Sequence, residues 1–350
     1  MACVARPKAK RTLQEFALIR SLQRRFGQDG SPIIQGIGDD AAVVPSHPHQ
    51  WLVITTDLLA EHIHFDLRTA SFESVGYRAA MANLSDLAAM GATPRYGLVS
   101  LAIPKGRTQR DVDQLYRGMR KACRPHGVRL IGGDTSASQK GLFLNVTLIG
   151  TTAPGHVLFR RGARIGEGIY VTGTLGDARA GLYLLQESLR TATRQKSRLF
   201  PRSHRNVLIG RHLHPTARVR EGRWLNRSRF ASSAIDLSDG LSGDLRHVCA
   251  ESNVGALVEL DRVPISPSCR AYAESKHIDP VQLALAGGED YELLFTVASK
   301  HQARMERQAR NFGFHIARIG TIRPRDHGIR AVFHDGSVRP LPNTSYEHFR

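Results

Sequence analysis

Two adjacent aspartates, Asp39 and Asp40, follow Gly36-Ile37-Gly38 and precede the apolar run Ala41–Val44. The chain carries 49 Lys and Arg against 31 Asp and Glu, so acids are scarce, and neighbouring carboxylates repel unless something positive lies beside them. Other aspartates are placed as oddly. Thr55, Thr56 and Asp57 close the apolar run of VITTDLL, and Asp86 falls in the last turns of an apolar helical segment, NLSDLAAMG, where the helix dipole disfavours an anion. Asp134 follows two glycines in LIGGDTS, and AIDLSDGL puts Asp236 inside an apolar strand with Asp239 at the turn behind it. Each alone is explained equally well by turn chemistry. An unpaired carboxylate inside an apolar strand is expensive, and a core has no use for six of them. Mg²⁺ supplies the missing charge, because it takes oxygen ligands and binds a few carboxylates together with substrate phosphates. Six acids exceed the needs of one ion, which predicts two or more.

Competing chemistries fail on spacing. Gly36-Ile-Gly38-Asp-Asp-Ala41 has the outline of a dinucleotide loop, but acids occupy the positions that must approach a pyrophosphate, and a short strand ended by Pro45 follows instead of a helix. No Walker A loop is present. His62 and His64 alternate on an extended segment, yet no Cys or third His lies near enough for zinc.

The elements that must hold these acids are strand-rich at first. A helix is expected around Thr12–Phe26, strands at Ala41–Val44, Trp51–Thr55, Tyr96–Ile103 and Leu142–Gly150, and helices at Phe72–Met90 and Thr108–His126. Pro154-Gly155 and the basic turn Arg160–Arg164 mark a crossing. Beyond it come a strand at GIYVTG, a helix from Asp177, a strand at SAIDLS, a helix carrying Leu241, Leu245 and Val248, and a strand at YELLFTV. Strands and helices mix without strict βαβ alternation, so the fold class is α+β in two domains. The expected division is a basic N-terminal segment and helix at 1–30, a nucleotide- and metal-binding domain at 31–154, and a C-terminal domain at 155–350.

Bulk properties limit the function classes. At 350 residues and 41% hydrophobic content the chain suits two ordinary domains, and no apolar run reaches the roughly 18–20 residues of a membrane span. Four dispersed cysteines (Cys3, Cys123, Cys249, Cys269) form no CxxC pair. With no apolar leader in MACVARPKAKR, the expectation is a cytoplasmic protein. The net charge of +18 is uneven: twelve basic residues and one acid, Glu221, lie between Ser188 and Arg229. No nucleic-acid-binding motif accompanies them, so a solvated basic face is expected and nucleic acid is not the expected partner.

The ordered set GIGDDAAVV, TTDLL with His64 behind it, NLSDLAAMGATP, LIGGDTS, RRGARIGEGIYVTGTLGDARAGL, AIDLSDGL and AGGEDYELLF resembles the thiamine-monophosphate kinase family. That family belongs to the superfamily that also holds aminoimidazole-ribonucleotide synthetase, selenophosphate synthetase and a hydrogenase-maturation protein. The resemblance spans about residue 12 to the C-terminus. It implies an N-terminal mixed or antiparallel sheet with helices that pairs with a second copy into a barrel, hence a homodimer, and a C-terminal α/β sandwich-like domain. It implies ATP- and Mg²⁺-dependent phosphorylation of thiamine monophosphate to thiamine diphosphate by direct in-line transfer. It implies that Asp40, Thr55, Thr56, Asp57, Asp86, Asp134, Asp236 and Asp239 bind metal, with Asp39 in support and Asp57, Asp86 and Asp239 central to catalysis. Tyr116, Gly133, Asp134, Arg160 and Ser238 would contact ATP, and His64, Glu289 and Tyr346 the thiamine end. The acceptor is already an anionic phosphate, so cations and positioning rather than a strong base would carry the chemistry. Two other readings remain: a sister ATP-dependent enzyme with another small acceptor, and a basic nucleic-acid-binding protein with a vestigial site, which the intact acid set argues against.

Overall fold

The computed structural model describes residues 15–27, 32–190 and 200–346. After a helix α1 (Glu15–Phe26), the first sheet is built from β1 (Ala42–His47), β2 (Gln50–Ala60), β3 (Thr93–Pro104), β4 (Arg129–Ser138) and β5 (Phe143–Thr152). Its order is β1-β2-β5-β3-β4, antiparallel except for the parallel β3/β4 pair. Two helices interrupt the strands, α2 (Phe72–Ala89) and α3 (Gln109–Cys123). Ser71 caps α2 by accepting the Ser74 N–H at 3.1 Å, and the helix stops at Gly91, whose φ of 66° suits glycine. A reciprocal Thr108/Asp111 capping box starts α3.

The second sheet comprises β6 (Gly168–Thr172), β7 (Ala231–Asp236), β8 (Gly255–Glu259), β9 (Leu293–Val297), β10 (Ile316–Arg323), β11 (Ile329–Val332) and β12 (Val338–Pro340), in the order β12-β11-β8-β10-β6-β9-β7. Between these strands run α4 (Asp177–Arg190), α5 (Arg202–Leu213), α6 (Val219–Ser228), α7 (Leu241–Ser252), α8 (Pro267–Ser275), α9 (Pro280–Ala286) and α10 (Ser299–Asn311). Two mixed sheets with ten described helices make the class α+β.

β6 and β9 are buried on both faces. Tyr170 and Phe295 turn towards the core shared with the first sheet, while Ile169, Val171 and Leu294 turn towards a second core beneath α4, α7, α8 and α9. α2 packs on α3, β2 and β5 of the first half and on α6 and β7 of the second. The helix that carries Asp86 is therefore the joint between the sheets.

Several expected elements extend or shift. The run ending in Thr55-Thr56-Asp57 continues to Ala60, because β5 pairs with it along its length. Asp134 lies within strand β4 rather than at a turn. The strand expected from Tyr291 begins at Leu293, since Glu289 and Tyr291 take φ of 67° and 52°, outside extended geometry. The expected helix start at Thr12 lies outside the described residues. The arginine stretch expected as a solvated face includes buried structure: Arg211 (2.8 Å) and Arg218 both bond the fully buried Glu292.

Candidate active site

Asp40, Asp86 and Asp236 come from a loop, a helix and a strand, yet each offers a carboxylate oxygen within 4.8 Å of the others. Asp57 of β2 joins them closely enough for its charge to raise both Asp86 and Asp236. Strand alternation sets the geometry: Thr55 and Asp57 share one face, and the Thr55 hydroxyl donates to Asp86. Thr56 turns to the opposite face, where its hydroxyl meets that of Thr147 at 2.9 Å. Arg160 supplies one positive charge, donating from Nε to Asp40 Oδ1 at 3.0 Å while its backbone N–H contacts Asp39 at 3.3 Å.

One guanidinium does not balance five carboxylates. Desolvation, reinforced by the Asp40 charge, pushes Asp39 up to about 7 and Asp57 up to about 6. Desolvation also lifts Asp40 against the pull of Arg160, and lifts Asp86 and Asp236 well above the carboxylate range with help from their acidic neighbours. The Oδ2 atoms of Asp40 and Asp236 are buried without a hydrogen-bond partner. Hard oxygen donors, excess negative charge and orphaned acceptors fit a divalent cation of the Mg²⁺ type.

The cluster opens into a cleft of about 790 Å³ whose walls include Asp57, Asp86, Asp236, Ser238 and Asp239 together with His64, Glu289 and Tyr346. Backbone lacing joins these two groups. Glu289 N–H donates to Ser238 O at 2.8 Å, Tyr291 N–H to Leu237 O at 3.0 Å, and Tyr346 N–H to Asp239 O at 3.3 Å. His64 Nδ1 accepts the Ala60 N–H at 3.0 Å, so the neutral ring carries its proton on Nε2. Desolvation pushes Glu289 up, but the Arg78 guanidinium and then His212 outweigh it and hold the carboxyl below its usual range.

Three groups here escape sequence reasoning. Arg78, 2% exposed on α2, bonds Glu289, the His64 carbonyl at 3.0 Å and the His212 ring at 3.3 Å. His212 is buried against the same pair. Asp244 in the first turn of α7 accepts the N–H groups of Asp239 (3.2 Å) and Gly240 (3.1 Å), and so shapes the turn that presents Asp239. An arginine and a histidine inside otherwise apolar runs were the available signals.

Tyr116, Gly133 and Asp134 do not line the cleft. Tyr116 packs from α3 against the first core. Gly133 and Asp134 stand exposed on β4, opposite Val99 and Ser100. A Cβ at Gly133 would fall 1.7 Å from the Val99 carbonyl oxygen, so that position requires glycine.

A paired five- and seven-stranded sheet architecture with a carboxylate cluster at the joint defines an AIR-synthase-related protein. The N-terminal domain of that family matches residues 38–152 and its C-terminal domain residues 164–332. More closely, the chain belongs to the thiamine-monophosphate kinase family. It is 37% identical to the Buchnera aphidicola (Acyrthosiphon pisum) thiamine-monophosphate kinase over 335 residues, covering 96% of this chain and 98% of that one. It is 36% identical to the Escherichia coli K12 thiamine-monophosphate kinase over 343 residues, again covering 96% and 98%. The structure of AaThiL complexed with AMPPCP and TMP superposes with a TM-score of 0.82 at 32% identity, covering 96% of this chain and 97% of that one. No described helix is long and apolar enough to cross a membrane.

Proposed function

We propose that this protein phosphorylates thiamine monophosphate to thiamine diphosphate, with ATP as phosphoryl donor and Mg²⁺ held by its acid cluster. The observation that carries the reading is a buried carboxylate cluster (Asp40, Asp57, Asp86, Asp236) at a cleft that is also lined by Glu289, His64 and Tyr346. Relatives over nearly the whole chain bear the kinase name, and the similar AaThiL structure holds an ATP analogue and TMP.

Asp40, Thr55, Asp57, Asp86, Asp236 and Asp239 would hold the metal; the Thr56 hydroxyl, expected as a ligand, faces Thr147 on the other side of β2, and Asp134 lies apart on β4. When bound, Mg²⁺ supplies the positive charge that lets two anionic phosphates approach each other. Asp57, Asp86 and Asp239 fix where that charge sits. Thr55 orients Asp86 through its hydroxyl, and Asp244 orients the Asp239 turn. The acceptor needs no general base, since its oxygen is already anionic. Elsewhere on the cleft wall, the carboxylate of Glu289, the Nε2–H donor of His64 and the ring of Tyr346 match thiamine's cationic thiazolium and its aminopyrimidine. Arg160 and Ser238 lie on the cluster side and suit the nucleotide phosphates.

Tyr116, Gly133 and Asp134 fall to a second copy. β4 is the edge of its sheet, exposed along nearly its whole length, with Ile131 58% exposed, and such an edge invites pairing. A homodimer closing here into a barrel would carry these residues towards the partner's nucleotide. The same reading divides the chain into a basic segment and helix at 1–30, a metal, nucleotide and dimerisation domain at 31–154, and a completing domain at 155–350.

Purified protein with Mg²⁺, ATP and thiamine monophosphate is expected to form thiamine diphosphate, read by thiochrome fluorescence after separation. Asp57→Asn is expected to reduce turnover at least 100-fold. ATP binding with no product from this acceptor would instead indicate a sister enzyme with another small phosphate acceptor.

A further inference from the structure

A second cavity, about 350 Å³, lies where α6 meets the turn between β1 and β2 and the end of β5, and His49, Gln50, Thr151, His156, Arg223 and Arg227 are on its wall. Among the described residues, no acidic side chain lines it. Arg223 and Arg227 stand one turn apart on α6, a spacing at which like charges repel. Arg95 of β3 adds a third guanidinium, tied to the wall by its Nε donating to Thr151 Oγ1 at 3.3 Å. Desolvation, then Arg227 and Arg95, depress the Arg223 guanidinium from its ordinary value. Among the described residues none of these three arginines has an ion-pair partner. The Nε of Arg223 is buried with no acceptor at all.

The walls are set in place without a ligand. A Cβ on Gly222 would lie 2.0 Å from the Ala88 carbonyl oxygen, so α6 is seated backbone-to-backbone on α2. Asn226 Nδ2 donates to the His156 carbonyl and, at 3.3 Å, to Thr152 Oγ1. Three carbonyls at the end of α2 are occupied: Leu87 O accepts from Ala92, Ala88 O from Gly91 and Met90 O from Leu158. Crowded guanidiniums, an unused donor and hydroxyl walls suit an anion. Arg223 and Arg227 on the wall, with Arg95 close by, also carry more positive charge than a single phosphate neutralises.

We propose that this cavity binds the phosphate chain of a small polyphosphate ligand, two or more linked phosphates, at a site separate from the catalytic cleft. Arginine presents paired N–H donors that match phosphate oxygens, and linked phosphates place their charges close enough to meet neighbouring guanidiniums inside one concave pocket. A nucleic-acid backbone, with its phosphates spaced further apart, would instead track a groove.

Isothermal titration calorimetry of the full chain with inorganic tripolyphosphate tests this, in EDTA so that the acid cluster repels the probe. Wild type and Asp57→Asn are expected to bind alike, and Arg223→Ser/Arg227→Ser at least tenfold more weakly. Arg227 is exposed, so Arg227→Ser alone carries the test if the double variant fails to fold, with at least a threefold loss expected. Parallel titration with ADP distinguishes the sources: tighter ADP binding points to a nucleotide, equal binding to an inorganic chain. No binding to wild type, undiminished binding to the variants, or displacement of tripolyphosphate by single-stranded RNA of equal charge overturns the proposal.

Discussion

Within Gly287-Gly288-Glu289-Asp290-Tyr291-Glu292 three acids point three ways, each to a partner far away in sequence. Glu289 meets Arg78 in the cleft. Asp290 accepts the N–H groups of Gly176 (2.6 Å) and Ala178 (3.1 Å) at the start of α4, and desolvation pushes it up to about 7. Glu292 holds Arg211, Arg218 and the Thr172 hydroxyl. His212 completes the Glu289 corner and yields a pH prediction. Desolvation, then Arg78, push it down to about 4, against about 6.5 in an unfolded chain. Between those values the unfolded state takes a proton and the native state does not, so this group's contribution is fully present above pH 6.5 and is lost as pH falls towards 4. The shift is worth about 3 kcal/mol at 1.36 kcal/mol per unit. Asp39, Asp57 and Asp290 titrate over the same window with the opposite sign, so the raw pH curve is not the readout. Urea unfolding of wild type and His212→Gln at pH 7 and pH 4.5 is expected to show the variant gaining about 2–3 kcal/mol relative to wild type at the lower pH. A constant difference would mean that His212 titrates alike in the folded and unfolded states, so that burial does not depress it.

At the scale of elements, α2 and α3 cross at a pair of glycines. A Cβ on Gly76 would lie 2.0 Å from the Leu115 carbonyl oxygen, and one on Gly118 would lie 1.9 Å from that of Glu73. Alanine gains about 1 kcal/mol over glycine inside a helix, whereas overpacking costs about 1–3 kcal/mol or more. Backbone carbonyls cannot swing aside, so the cost wins. Gly118→Ala is expected to destabilise by about 1–2 kcal/mol in urea unfolding. Gly210→Ala on α5, where a Cβ meets nothing within 4 Å, is expected to stabilise by about 0.5–1 kcal/mol. The same contrast explains what could be read from the sequence. α2 was legible because Gly91 and then Pro94 end the apolar run Phe72–Met90, and the acids of the cluster because carboxylates inside apolar segments are costly. Arg78 was not, since its partner Glu289 lies 211 residues downstream. α5 and α6 were not, because their arginines mask the apolar stripe, and the half-buried Arg211 and Arg218 find their acid only once Glu292 is folded beneath them. The C-terminal strands β10–β12 are short or polar, and pairing rather than composition defines them.

For the whole molecule, the arrangement of sheet edges decides what assembles. β1 and β4 end the first sheet, and β4 leaves its pairing groups and Ile131 open while presenting Gly133 and Asp134, which do not line the cleft of the same subunit. A second copy meeting that edge would cover Ile131 and complete two sites at once. Each chain carries a net charge of +18, so approach is opposed at long range, and salt that shortens the roughly 10 Å Debye length at 0.1 M strengthens association. Multi-angle light scattering is therefore expected to find a dimer whose stability rises between low and moderate ionic strength. Ile131→Lys places a charge where an apolar side chain must be buried and is expected to give monomers of unchanged fold by circular dichroism. Turnover should fall with dimer content, because Asp134 of one copy no longer reaches the cluster of the other. A monomeric variant with full turnover would leave Asp134 without a catalytic part and return the site to a single chain. A monomeric wild type would remove the barrel altogether.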